Sequence, residues 1–399
     1  MNTTSVSTTT QPLLDRIYSH IVSQPVDDQT SLLGGQIGFA ILEAYYQHFH
    51  GITTESRTWE RIAHSLATIQ QGELTYPFAS GIAGVAWGFL HLFNHGLVQD
   101  DDLDPNEIVE DLDEPLFEVA KNELSAGNYD YLHGGLGVCL YFLERRPSEA
   151  IARFVDALVE QLSGCAVRFT DGGISWRFDN FGQHTPTDPP VYNVGLSHGT
   201  ASIVALLSLL YERGYARARC ASLIQGSLQW MWANRNQSGL SIFPNTIQAV
   251  RSDQHSRLGW CYGDLGIANA FWLAGEKLAV PEWQMIAIRT VQQAAGRREP
   301  DDTLITDASL CHGAAGAAYL FRRFSARQPQ PLLDEAARFW LDKLPHYASP
   351  DDRPDVFLTY HKGQYEPNLS LLDGEAGIGM ALLSELGGQT YWDRFLLLS

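Results

Sequence analysis

Two short stretches of the chain set cysteine in the same frame: "WCYGDLG" at residues 260–266 and "LCHGAAG" at residues 310–316. Cys261 and Cys311 each stand two places before a glycine that a second glycine follows three positions later. In the second stretch His312 fills the place between cysteine and glycine. Two thiolates and an imidazole are a donor set suited to Zn²⁺. Three protein ligands leave a fourth position open, as in catalytic rather than structural zinc sites. Both cysteines precede apolar runs that read as helices, whose N-terminal dipole favours thiolate. Spacing alone does not identify a metal site, because no C-x-x-C pair is present. Two small buried cysteines beside a core histidine would read the same way.

What could bring residues fifty positions apart together is the frame itself, which recurs along the chain. Near-copies read "GGQIGFA" from Gly34, "SGIAGVA" from Ser80, "HGGLGVC" from His133, "HGTASIV" from His198, "YGDLGIA" from Tyr262, "HGAAGAA" from His312 and "DGEAGIG" from Asp373. The leading glycines are Gly35, Gly81, Gly134, Gly199, Gly263, Gly313 and Gly374, spaced 46, 53, 65, 64, 50 and 61 residues apart. Intervals so uneven do not suit a solenoid of short repeats; they suit seven helical pairs with variable loops. Each motif opens an apolar run, as in "TASIVALLSLLYE". Each follows a more polar amphipathic stretch, as in "RTWERIAHSLATI" and "PSEAIARFVDALVEQL".

The repeat unit is therefore an outer amphipathic helix, a loop, and an inner apolar helix whose first turn is G-x-x-G. Glycines at i and i+3 strip one face of side chains, which would let inner helices approach closely. The fold class expected is all-α: one α/α toroid over residues 1–399, with seven inner and seven outer helices. The fourth repeat departs from the frame, with Ser202 where the second glycine should stand. Two stretches, 166–184 and 238–250, mix β-branched and aromatic residues with glycine and read as short hairpins. If the motifs are equivalent, the residues just before each leading glycine gather at one mouth. That adds His133 and His198 to Cys261, Cys311 and His312.

Composition limits the functions open to such a fold. The chain has 399 residues, 45% hydrophobic and 18% charged, enough for a large core and unlike a disordered polypeptide. Its net charge is −19, and residues 100–123 alone hold eleven acidic groups against one lysine. That stretch reads as a solvated face, and a nucleic-acid partner is excluded for want of clustered Lys and Arg. Five dispersed cysteines argue for a reducing cytoplasm over a disulfide framework. No export signal is read at the start. Within the longest uncharged run, residues 81–98 read as a buried helix rather than a membrane span, because Gly88, Asn94 and two histidines interrupt them.

"WCYGDLGIA" and "LCHGAAG" resemble the zinc motifs of the lanthionine synthetase C-like family, the lanthipeptide cyclases, and the likeness extends to "YDYLHGGLG" and "NVGLSHGTAS". The resemblance implies Zn²⁺ held by Cys261, Cys311 and His312. It also implies catalytic roles for His198, Asp130, Arg257 and Tyr262. The implied reaction is intramolecular addition of a peptide Cys thiol to dehydroalanine or dehydrobutyrine, giving (methyl)lanthionine rings in antibiotic biosynthesis. With no room for a dehydratase domain, the resemblance is to the stand-alone cyclases.

That chemistry needs a thiolate nucleophile and a proton for the α-carbon after attack. A free thiol is only a few per cent ionised near neutral pH, whereas a metal-bound one is fully so. An imidazole titrates near neutrality, so His198 is the first candidate for proton handling. Asp130 would orient it or take the thiol proton; the division between them stays open. Arg257 would pair with Asp130 or stabilise the enolate. Each has a plainer reading: Asp130 as a helix cap, His198 satisfying a carbonyl, Arg257 in a surface ion pair. Trp260 reads as packing, and Cys139, Cys165 and Cys220 as ordinary thiols.

The implied partner is a dehydrated precursor peptide. A complex with a dehydratase and a transporter, drawing the chain to the membrane periphery, stays open. The closed repeat predicts a monomer. Glutathione addition to dehydroamino acids would use the same site, a prenyltransferase-like zinc-thiolate enzyme would share only the architecture, and a zinc-stabilised thiol-binding scaffold would share only the metal.

Overall fold

The computed structural model describes all residues except 1–2, 54–56, 73, 179–188 and 249–254, and no side chains for 3–8. Seven outer–inner helix pairs follow one another. They are α1 (Thr3–Ser23) with α2 (Gln36–His50), and α3 (Thr58–Gln70) with α4 (Ile82–Asn94). After a short α5 (Pro105–Ile108), α6 (Asp113–Ser125) pairs with a 3₁₀ turn Gly135–Gly137 leading into α7 (Val138–Glu144). Next come α8 (Glu149–Gly164) with α9 (Thr200–Arg213), and α10 (Arg217–Ala233) with α11 (Asp264–Lys277). Then α12 (Pro281–Ala294) is followed by a short α13 (Pro300–Thr303) and its partner α14 (Ala314–Arg327), and α15 (Pro331–Tyr347) pairs with α16 (Glu375–Glu385).

The sequence explains which helix lies inside. In α9 every residue from Thr200 to Leu210 is buried, so its apolar run has no solvent face. In α8 only Ile151, Val155, Leu158, Val159 and Leu162 are buried, one stripe at helical spacing. Ser148 caps α8 by accepting the Ile151 N–H at 3.2 Å. The uncharged run read as a buried helix is α4, buried from Ala83 to Leu92. No helix among the described residues is long and apolar enough to cross a membrane.

The chain forms two compact units. The first comprises Met1–Glu110 and Ile305–Trp392. Here α16 packs on α1 and α14, and α2 packs on α1, α3 and α4. Backbone hydrogen bonds tie successive motifs: Cys311 N–H to Leu372 O (3.0 Å), Leu371 N–H to Leu33 O (2.8 Å), and Leu33 N–H to Ala79 O (3.1 Å). The seventh repeat thus sits beside the first.

The second unit comprises Asp111–Leu304 and Asp393–Ser399. In it α9 packs on α7, α10 and α11, and α11 on α12. Residues 393–399 are woven into this unit. The Phe395, Leu396 and Leu397 carbonyls accept from Tyr131 Oη (2.6 Å), Trp260 Nε1 (2.8 Å) and Asn269 Nδ2 (2.7 Å). Trp260 is therefore a packing residue, as its sequence suggested.

Two expectations need correcting. The glycines do make room, but chiefly for each motif's own approach segment and less for neighbouring helices. A Cβ on Gly84, Gly266 or Gly316 would lie 1.9–2.1 Å from the carbonyl oxygen six residues earlier. Ser202 fills its place in the fourth repeat by bonding back to Gly199 O at 2.7 Å. The second correction concerns strands. β1 (Val167–Arg168) and β2 (Ile174–Ser175) form the first expected hairpin, whose residues 179–184 lie outside the described residues. The second stretch, of which 249–250 are not described, makes no hairpin of its own. β3 (Tyr192–Asn193) takes β4 (Thr246–Ile247) as its partner. A further hairpin, β5 (Leu358–His361) with β6 (Gln364–Pro367), turns at Lys362 and Gly363, both at positive φ (48° and 91°).

Candidate functional site

A shared turn delivers Asp130, His133, His198, Cys311 and His312. In six of the seven repeats the leading glycine's N–H bonds the carbonyl four residues earlier, as Gly134 does to Asp130 and Gly199 to Gly195, both at 3.0 Å. The helix starts at the next residue, so positions just before the glycine stand at its N-terminal mouth. Gly263 alone among these glycines has positive φ (93°), a conformation that favours glycine.

In the second unit this geometry brings Asp130 and His198 together. Asp130 Oδ2 lies 2.7 Å from His198 Nδ1, while Oδ1 accepts the N–H groups of Leu132 (2.9 Å) and His133 (2.7 Å). Asp130 is buried, and the His198 side chain is 17% exposed, so the pair is shielded yet reachable. The cap reading of Asp130 is thus half right: one oxygen organises the turn and the other holds the imidazole. A carboxylate so placed fixes Nδ1 as the protonated nitrogen and turns Nε2 outward for exchange.

The His133 ring stacks on His198, with centroids 5.8 Å apart, and the wall around His133 pushes its pKa down while Asp130 pulls it up. The Tyr262 ring centroid lies 6.2 Å from that of His198. Cys261, buried, is tied to the turn that carries His198 through its carbonyl, which accepts from Ser197 N–H at 3.2 Å. Among the described residues the Arg257 guanidinium has no hydrogen bond or ion pair, so the expected pairing with Asp130 is not made.

The first unit places Cys311 and His312 side by side, Sγ and a ring nitrogen within 4.8 Å. Cys311 is buried and His312 half-buried. His312 Nδ1 lies 3.8 Å from Asp373 Oδ1, the carboxylate one place before the seventh leading glycine. That is an ion-pair separation and not a hydrogen bond, and a carboxylate this near favours a basic imidazole electrostatically.

All five cysteines are free. Burial pushes the Cys139 and Cys220 thiols up to about 12 and Cys165 up to about 11, which suits inert packing residues. The acidic stretch is not wholly a solvated face. Asp113 is held by Arg145 Nη2 at 2.6 Å and Tyr141 Oη at 2.6 Å.

Three residues escaped the sequence reading. Asn193 donates from Nδ2 to Tyr262 Oη at 3.0 Å and accepts the Gly195 N–H on Oδ1 at 2.8 Å, so it fixes both the tyrosine and the turn before His198. Asp373 shares the frame position of His312 and was legible by that alignment. Asp264, first in α11, accepts the N–H groups of Ile242 (3.1 Å) and Phe243 (2.9 Å). Arg297 lies 3.8 Å from it, and burial pushes its pKa up to about 6. It pins the 241–243 segment to the helix that Cys261 precedes.

The chain matches the family model of lanthionine synthetase C-like proteins over residues 26–397. Among solved structures it resembles a nisin cyclase at 17% identity with a TM-score of 0.70, covering 98% of this chain and 97% of that one. It also resembles an unsaturated glucuronyl hydrolase from Streptococcus agalactiae at 12% identity, with a TM-score of 0.50, covering 92% of this chain and 94% of that one. At such identities the likeness establishes the fold, an all-α α/α toroid, and nothing further. No curated protein sequence matches.

Proposed function

The chain belongs to the lanthionine synthetase C-like family, and from that premise we propose that it is a zinc-dependent lanthipeptide cyclase. Its substrate is a dehydrated precursor peptide. A Cys sulfur bonds to the β-carbon of dehydroalanine or dehydrobutyrine, the C=C π pair moves toward the carbonyl as an enolate, and the α-carbon takes a proton. The thiol proton lost is matched by the proton gained, so the product is an isomer of the substrate.

Cys261, Cys311 and His312 would hold the zinc ion. The donor set fits, since two thiolates and a carboxylate-backed imidazole leave one position for a substrate thiol. Zinc bound there would supply thiol deprotonation at neutral pH while leaving the sulfur nucleophilic. The protein's own residues do the rest. His198, held at Nδ1 by Asp130, carries a proton on Nε2 to the α-carbon. Tyr262, steadied by Asn193, flanks the imidazole and donates toward the enolate oxygen. Arg257, with no hydrogen bond or ion pair among the described residues, would stabilise the same charge.

The observation that carries this reading is the 2.7 Å Asp130–His198 contact beside Tyr262 and next to the segment bearing Cys261. A scaffold with a merely structural metal has no need of an oriented imidazole. Metal analysis tests the zinc assignment: about one zinc per chain, lost in Cys261→Ala and Cys311→Ala and kept in Cys139→Ala, Cys165→Ala and Cys220→Ala. Zinc retained by both of the first two variants would overturn it.

A further inference from the structure

The outer surface of the second unit carries a groove for which the ring-closing site has no use. It lies between α10 and α12, encloses about 690 Å³, and is floored by Tyr211, Leu228, Trp232, Phe271, Trp283 and Ile286. Two shallower hollows share residues with it. One continues past Gln225 and Gln229 to Arg168; the other continues past Trp232 to Arg235 and Arg289. Together they form one trough along α10.

An arginine lies over an aromatic ring at each end of that helix. Arg217 Cζ is 4.4 Å from the Tyr211 ring centroid, and Arg235 Cζ is 4.2 Å from that of Trp232. The 17 residues of α10, about 25 Å, separate the two arginines. Large apolar side chains stand exposed next in the chain to lining residues: Met285, at 65% exposure, before Ile286, and Leu240, at 44%, between Gly239 and Ser241.

The charge here runs against the rest of the molecule. In a chain of net −19, the lining of the three hollows carries Arg168, Arg235 and Arg289 against a single carboxylate, Glu282. An apolar floor, amide side chains and cationic ends suit an acidic amphipathic segment laid in as a helix or extended strand.

We propose that this trough docks an acidic, amphipathic segment of the peptide substrate, outside the residues that form rings. The inference rests on the cyclase reading for the identity of the peptide. It is the course of the trough that favours substrate over another partner. Its floor begins beside Tyr211 and Leu278, at the C-terminal ends of α9 and α11. It ends at Ser241 and Ile242, and the Ile242 N–H is bonded to Asp264 at the start of α11, three residues after Cys261. The trough therefore runs toward the helix ends that carry His198 and Cys261. The 14 residues of α11 span about 21 Å, roughly six or seven extended residues of peptide. A docked segment keeps the linked cysteines at high effective concentration near the mouth.

Fluorescence anisotropy tests the docking without any need for activity. The probes are three fluorescein-labelled 18-residue peptides: one with Leu at i, i+3, i+4 and i+7 spacing and Glu elsewhere, a permuted version, and a Lys-for-Glu version. The first should bind the intact protein about tenfold more tightly than the others. An Arg235→Glu/Arg289→Glu variant should lose that preference and favour the Lys peptide, and Met285→Asp should weaken the Glu peptide, with unchanged thermal unfolding. Equal binding of all three peptides, or binding indifferent to these substitutions, would overturn the site. In a second arm, fusing the Glu segment to a dehydrated Cys-containing peptide should lower KM and leave kcat unchanged. Binding without a KM effect would overturn the substrate assignment in favour of a separate acidic partner. If no peptide is ever cyclised although the Glu peptide binds, the cyclase reading falls, and the substrate assignment with it.

Discussion

Replacing Asp130 by Asn separates the role of the carboxylate in orienting the imidazole from its role in building the turn. Asp130 receives three hydrogen bonds, from Leu132 N–H, His133 N–H and His198 Nδ1. Asn is isosteric and keeps an oxygen for the two backbone groups, but it presents an NH₂ to His198 Nδ1. One charge-assisted bond is lost, worth about 1.5–3 kcal/mol, and the imidazole is driven toward the wrong tautomer. The proposed zinc ligands, Cys261, Cys311 and His312, are untouched. Ring closure in Asp130→Asn should therefore fall by roughly 10²- to 10⁴-fold with zinc content unchanged, about 3–5 kcal/mol of transition-state stabilisation. Asp130→Ala also leaves the buried Leu132 N–H without its acceptor, so it should unfold more readily than Asn by about 1–3 kcal/mol. Single-turnover thiol alkylation of a dehydrated peptide gives the rate, and denaturant unfolding gives the stability. Because the two residues act as a unit, Asp130→Asn/His198→Asn should be no slower than the worse single variant by more than a few-fold. An Asp130→Asn rate within threefold of wild type, or single-variant losses that multiply in the double variant, would refute the argument.

Three further expectations follow from the same geometry. His198→Asn should keep zinc and peptide affinity but close rings roughly 10²- to 10⁴-fold more slowly and with poorer control at the α-carbon; near-normal rate and diastereomer ratio would assign the proton elsewhere. Asp264 has its pKa raised to about 6 by burial. A raised carboxyl contributes stability that is complete below its unfolded value and lost as pH rises through about 6. The advantage of wild type over Asp264→Asn should thus shrink by about 3 kcal/mol between pH ~4 and ~7; a pH-independent difference in urea unfolding would contradict this. After zinc is stripped from the folded protein, iodoacetamide should label Cys261 and Cys311 well before Cys139 and Cys220, whose thiols burial holds at about 12. Equal labelling in the native state would show that those two are accessible.

The repeat was legible because glycine is demanded twice per motif. The approach segment folds back against the helix start, so the pattern survives while the loops vary from 46 to 65 residues between leading glycines. That frame alone placed Cys261, Cys311, His312, His198 and His133 at equivalent positions. It could not say which oxygen of Asp130 holds His198, because one carboxylate performs two tasks that look alike in sequence. Asn193 was invisible for a related reason: an Asn two places before a Gly reads as turn chemistry, and only the fold adds the tyrosine on its other arm. The pairing of β3 with β4 joins two-residue strands across more than fifty positions, with too few side chains to specify register. The trough stayed hidden because α10 has Trp230 buried and Trp232 half-exposed, so its apolar residues face both ways.

The central claim is that this chain turns a thiol and a dehydroamino acid in one peptide into a thioether. The direct measurement is to incubate the zinc-loaded protein with a dehydrated, Cys-containing peptide in the presence of glutathione, then alkylate and weigh the product. The account predicts loss of alkylatable thiol with no change in peptide mass, dependent on His198 and on zinc. A product heavier by glutathione, or a thiol that remains fully alkylatable while the protein holds its metal, would contradict it.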